Sequence, residues 1–197
     1  GLPTYDNTTY ETLGKAEEDY TMGLNNSIRY KRLSLGFSFD YRHGGLMYSA
    51  TKGNVLFNGN AEETMFNLRD PWIWPNSVVQ TGTDASGNPV FAENDMPCNS
   101  YYNINGAWYS NLLDKTYLKL RELNLSYTLP EKWFEKISWL STINVSIVGR
   151  NLLMWTPKQG LIDPDNTNYG NDLTSQYGEY FSAPSTRTFG GRVKIVF

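Results

Sequence analysis

The chain has 197 residues, enough for one domain with a sizeable core, and its 17 basic and 20 acidic side chains leave a net charge of −3. That balance offers no electrostatic footprint for nucleic acid. The mean hydropathy is −0.50 and uninterrupted apolar runs span only about four residues, such as Leu152-Leu153-Met154-Trp155, which excludes a membrane-spanning helix of roughly 18 or more consecutive apolar residues. Aromatic residues reach 15%, more than an ordinary soluble domain needs, and a β-barrel stays open because its strands hide hydrophobicity in alternation. The opening Gly-Leu-Pro-Thr carries neither an initiator Met nor a signal peptide, so the expectation is a piece of something longer.

In chain order, a first strand is predicted over about 22–30. Met22, Leu24, Ile28 and Tyr30 share a face opposite Gly23, Asn25, Ser27 and Arg29. Lys31-Arg32 is short enough for a tight hairpin, though without Asn-Gly chemistry. The second strand, 33–41, alternates throughout: Leu33, Leu35, Phe37, Phe39 and Tyr41 against Ser34, Gly36, Ser38 and Asp40. Its length matches the roughly 9–11 residues of a tilted strand crossing a bilayer.

A long connection, 42–116, follows. It holds a turn signal at Asp84-Ala-Ser-Gly-Asn88 and an aromatic cluster of Trp72, Trp74, Trp108 and Tyr109. The third strand, 117–128, sets Leu123, Leu125 and Tyr127 against Glu122, Asn124, Ser126 and Thr128. Leu118 and Leu120 are out of phase, which reads as a bulge near Arg121 or an extension beyond the membrane. The connection 130–140 is amphipathic, with Trp133, Phe134 and Trp139 suited to a membrane interface.

The fourth strand, 143–155, has Ile143, Val145, Ile147, Leu153 and Trp155 on one side. The fifth, 189–197, alternates Phe189, Val193, Ile195 and Phe197 with Gly190, Arg192 and Lys194. Cations behind an apolar wall suit a polar lumen. The connections run short (31–32), long (42–116), short (129–142) and long (156–188). Outer-membrane barrels have short periplasmic turns and long external loops. With the C-terminus inside, both long connections fall outside. Five strands cannot close a barrel, so further strands are expected on both sides.

The blocks from Asp19 through Gly45, Tyr117 through Pro130, Gly149 through Thr156 with Gly160 through Pro164, and Arg187 through Gly191 resemble, in order, SusC/RagA-type TonB-dependent transporters. A C-terminal strand ending in Phe197 resembles the assembly signal of outer-membrane proteins. The resemblance implies that residues 1–197 are the C-terminal part of an all-β transmembrane barrel of about 22 strands. It also implies an N-terminal plug, a SusD-type surface lipoprotein as lid, and TonB-energised import of glycans or peptides across the bacterial outer membrane. The plug and the TonB-contacting segment have no counterpart in the chain, and no cofactor is implied.

No catalytic constellation emerges, and an enzyme is not expected. His43 reads as a loop histidine and Cys98 as an inert thiol, since neither has a partner at catalytic or metal-ligand spacing. Glu17-Glu18-Asp19 and Glu62-Glu63 read as solvated charges. Asp163, Asp165 and Asp172 either ligate Ca²⁺ or form a turn, the spacing departing from the EF-hand pattern. Gly190-Gly191 lies in a strand and suits relief of crowding at a bend. Trp72, Trp74, Trp108 and Tyr109 either contact substrate or lid protein, or pack the long loop's own core. The alternative from another class is a soluble secreted carbohydrate-binding β-sandwich, which would bury the apolar strand faces against a second sheet.

Overall fold

The computed structural model describes residues 8–98, 111–157, 162–166 and 177–197. It divides into two units, one built from 14–49 and 112–197, the other from 1–13 and 50–111.

The larger unit contains an antiparallel sheet of five strands, as the alternation predicts. In chain order they are β1 (Tyr20–Tyr30), β2 (Leu33–His43), β7 (Tyr117–Thr128), β8 (Thr142–Trp155) and β10 (Thr188–Val196), with sheet order β1-β2-β7-β8-β10. The register aligns like with like. Leu24 faces Phe39, Phe37 faces Leu123, Leu125 faces Ile147 and Val145 faces Val193. On the other face Asn25 meets Ser38, and the Ser38 hydroxyl donates to Asn25 Oδ1 at 2.6 Å. A slip of one residue would exchange the two faces, so this matching fixes the register.

Two irregularities interrupt it at one level. Pairing passes from Leu120 to Glu122 on β7, leaving Arg121 as an extra residue. Opposite, β8 passes from Arg150 to Leu153. The bulge puts Leu118 and Leu120 back on the apolar face, which accounts for their phase in the sequence. Asn151 turns the β8 chain at φ 51, a left-handed conformation that Asn tolerates better than most residues. Leu152 folds back over Gly149: a Cβ there would lie 2.7 Å from Leu152 Cδ2, so any larger residue would have to displace the leucine side chain. Around Gly190 and Gly191, by contrast, an added Cβ would meet nothing within 4 Å among the described residues.

A second, three-stranded sheet in this unit runs in the order β6-β3-β9, from β3 (Leu46–Ser49), β6 (Leu112–Asp114) and β9 (Gly178–Glu179). It brings the two long connections together beside the loop end of the large sheet. Met47, Ser49 and Glu179 are buried there. The turn end is plainer. Lys31 and Arg32 make the β1–β2 turn, with Lys31 at φ 53, where a residue with a Cβ costs roughly 1–2 kcal/mol. The β7–β8 connection holds one short 3₁₀ turn, Glu131–Trp133, with Phe134 buried and Trp133 and Trp139 exposed.

The smaller unit contains helix α1 (Ala50–Phe57) and a hairpin of β4 (Val78–Thr83) and β5 (Pro89–Glu93). Its turn is the expected one. Asp84 Oδ1 accepts the backbone N–H groups of Ser86 and Asn88, each at 2.8 Å, and Gly87 takes φ 84.

A charge-locked loop on a two-faced sheet

The sheet has one apolar and one polar face, and among the described residues much of the apolar face is exposed. Ile147 is 60% exposed and Val193 62%, and Met22, Leu24, Ile28 and Phe189 are exposed too. A surface of this extent on a water-soluble monomer would mark an interaction site. Aromatic residues collect at both of its ends. At the loop end, His43 stacks on Tyr20 at 5.0 Å while the Tyr41 hydroxyl and His43 Nδ1 lie 3.3 Å apart. His43 thus belongs to an aromatic cluster with Tyr20 and Tyr41. At the turn end stand Tyr30, Tyr127 and Trp139, with Phe197 edge-on to Trp139 at 6.4 Å.

The polar face is densest at the loop end, where three strand cations meet three carboxylates. Alternation aims Asp40 and Arg42 of β2 and Tyr117 and Lys119 of β7 to this side, and the bulge adds Arg121. The Asp163-Pro164-Asp165-Asn166 turn comes down onto them, with Pro164 pre-set for the bend and Asn166 N–H donating to Asp163 O at 3.0 Å. Lys119 Nζ lies 2.5 Å from Asp163 Oδ1 and 3.2 Å from Asp165 Oδ2. Arg121 reaches Asp165 at 2.6 Å and Asp40 at 2.5 Å. Arg42 is 3.7 Å from Asp165. The Tyr117 hydroxyl donates to Asp40 at 3.0 Å and accepts from Arg121 at 3.1 Å. Its ring is flanked by Arg42, Lys119 and Arg121 at 5.0 to 5.6 Å from the centroid. Ser185 donates to the second oxygen of Asp163.

The side chains of Lys119 and Asp163 are only 3% and 4% exposed, so each charge depends on the other. Burial raises the Asp165 pKa, but hydrogen bonds from Arg121 and the charges of Lys119 and Arg121 outweigh it and hold the carboxyl below its ordinary range. Such a carboxylate is a poor proton acceptor. The arrangement is a lock that fastens the β8–β10 connection to the wall. Of the two readings of Asp163 and Asp165, this geometry matches the turn. Asp172 lies outside the described residues.

The sequence reading missed this lock, because its partners are far apart in the chain. The one local signal was Lys119 between the out-of-phase leucines Leu118 and Leu120.

In the smaller unit, Trp72 and Trp74 stack at 5.3 Å with 28° between ring planes, and Phe66 meets Trp72 edge-on at 5.0 Å. Trp72 also pairs through its backbone with Cys98, at 3.2 and 2.7 Å, and Cys98 is buried. The Trp74 carbonyl accepts from Ser77 at 2.6 Å, and Ser77 in turn accepts from Asn94 at 2.8 Å. Both rings are partly exposed. Trp108 and Tyr109 lie outside the described residues.

No family model matches the chain. It is 30% identical over 182 residues to TonB-dependent receptor P3 of Formosa agariphila, covering 90% of this chain and 16% of that protein. To TonB-dependent receptor P26 of the same organism it is 25% identical over 190 residues, covering 94% of this chain and 18% of the relative. The chain therefore spans less than a fifth of the length of either. Among solved structures, the RagAB peptide importer in its closed-closed state matches with a TM-score of 0.63 and 18% identity, over 98% of this chain and 19% of that one. The open-open state matches at 0.56 with 21% identity, over 90% and 17%. Sequence and fold agree: over nearly its whole length the chain is similar in sequence to a segment of TonB-dependent receptors, and it shares the fold of part of the RagAB importer.

Proposed function

We propose that the chain supplies wall, lumen lining and external loops to an outer-membrane importer of glycans or peptides energised through TonB. The observation that carries this is the sidedness of the five-stranded sheet. Lipid covers the face of Leu24, Phe37, Ile147 and Val193, and the face with Arg192 and Lys194 lines a watery interior. The connections 42–116 and 156–188 lie outside the cell, where the Trp72–Trp74 pair meets substrate or a SusD-type surface lipoprotein. The plug and the TonB contact come from elsewhere in the protein, and Phe197 serves as barrel assembly signal. A soluble sandwich would need a second sheet over the apolar face. Among the described residues that face is exposed, which favours the membrane reading.

Nitroxide labels on the full-length protein in bilayers test the sidedness. Labels at Phe37, Val145 and Ile195 should relax with a lipid-phase reagent, and labels at Ser38, Ser146 and Lys194 with a water-soluble one. Water accessibility of both sets would sink the reading. Replacing Trp72 and Trp74 by Ala should lower substrate affinity or uptake several-fold; unchanged values would end their assignment.

A further inference from the structure

Residues 50–111, the Trp72–Trp74 pair among them, are inserted between β3 and β6, which pair antiparallel from Leu46–Asp114 to Tyr48–Leu112. The segment is thus joined at both of its ends to a two-stranded stalk. The stalk is tied to the wall at its base, where Lys115 N–H donates to Gly45 O and Gly44 N–H to Thr116 Oγ1, each at 2.9 Å. On the other side of β3 lies β9, which belongs to the 156–188 connection and pairs parallel, Tyr48 with Gly178 and Ser49 with Glu179. So short a parallel ladder is weak by itself. Glu179 reinforces it. Its Oε2 accepts from the Ser49 hydroxyl at 2.8 Å, across 130 residues of chain, and its Oε1 accepts from Ser182 N–H at 2.8 Å. Ser49 and Glu179 have no solvent exposure, and hydrogen bonds to a carboxylate are about twice as strong as neutral ones. Tyr180 folds over Gly178, where an added Cβ would lie 2.8 Å from its ring, and its centroid stands 6.2 Å from that of Tyr48. To bring Ser182 back to Glu179 the chain passes through Phe181 at φ 58, a left-handed conformation rare for a bulky side chain. Strain of this kind persists where surrounding contacts over-determine it, and it collects in segments that switch.

We propose that β9 is a latch on this stalk: Glu179 joins the two long connections so that neither opens without the other. The coupling passes through β3, since β6 pairs with β3 and not with β9, and a coupling of this kind acts equally in both directions. It does not depend on what covers the apolar face, so it and the membrane reading stand or fall separately.

The test is amide hydrogen exchange on the full-length protein containing this chain. It is read at 46–49 and 112–114 on one connection and at 178–182 on the other. Glu179→Ala should accelerate exchange by about tenfold or more at 112–114 as well as at 178–182, with 33–41 of β2 unchanged. Glu179→Gln keeps an acceptor for Ser182 N–H and a partner for the Ser49 hydroxyl, and should stay within about threefold of wild type. Ser182→Ala should match wild type, because that hydroxyl has no hydrogen-bond partner among the described residues. Ser49→Ala supplies the reverse arm, and decides the matter if Glu179→Ala does not assemble: it should accelerate 178–182 several-fold. Acceleration confined to the connection that carries the substitution, in either variant, overturns the proposal. So does acceleration that extends equally to 33–41, which would make Glu179 a residue of general stability.

Discussion

At the loop end of the polar face, Lys119, Arg121 and Arg42 each lie within reach of a carboxylate. At the turn end of the same face, Arg29, Lys31 and Arg32 form no ion pair among the described residues. Residue type does not distinguish these ends; connection length does. The connection after β8 is long enough to fold Asp163 and Asp165 back onto the wall and seal Lys119 away from water, which makes a partner obligatory. The Lys31-Arg32 turn has no such reach, and Lys31 lies over the Tyr30 ring instead of against a carboxylate. Among the described residues, a charge on this sheet is buried and paired where a loop covers it.

The sharpest way to break the comparison is to remove one buried charge. Lys119→Met should destabilise the loop-end structure by about 3–5 kcal/mol, because Asp163 is left buried and unpaired. Protease cleavage of the 156–188 connection in the folded full-length protein should rise accordingly, while cleavage near 31–32 stays constant. Unchanged cleavage would mean that the lock does not hold the loop.

Acid should act at the same end, more weakly. Because Asp165 has a folded pKa below its unfolded value, its contribution is fully present above about pH 4 and lost as pH falls through the lower folded value. Amide exchange over 162–166 should stay slow from pH 7 to about 5 and accelerate below about 4 after correction for intrinsic rates. Asp165→Asn should flatten that profile.

The smallest effect belongs to Arg150 and Glu122, paired at 3.2 Å but 66% and 43% exposed. Arg150→Ala should change thermal stability by no more than about 0.5 kcal/mol. A loss comparable to that of Lys119→Met would show that burial is not what separates the two ends.

The large sheet was legible because its signal is local. Leu33 to Tyr41 states both faces within one strand, and Leu118 and Leu120 betrayed the bulge by breaking phase. The short strands Leu46–Ser49, Leu112–Asp114 and Gly178–Glu179 went unseen. Such pieces are too brief to establish a period of two, and they exist only because three distant segments meet. The lock was hidden for the same reason. Asp163 and Asp165 looked like ligands or turn residues, and nothing near them in the chain names Lys119 as their partner. For the Trp72–Trp74 pair, sequence supplied the candidates and the structure supplies their stacking; Trp72 and Trp74 await the uptake measurement.

The extra residue at Arg121 has an evolutionary corollary. Deleting it would rotate Tyr117 through Leu120 by one step, sending Lys119 to the apolar face and Leu118 and Leu120 to the polar one. Because Asn151 and Leu152 are looped out at the same height, the upper halves of the two neighbouring strands share a single frame. Recombination between homologous transporters would preserve the wall only if Tyr117–Trp155 were inherited as one cassette.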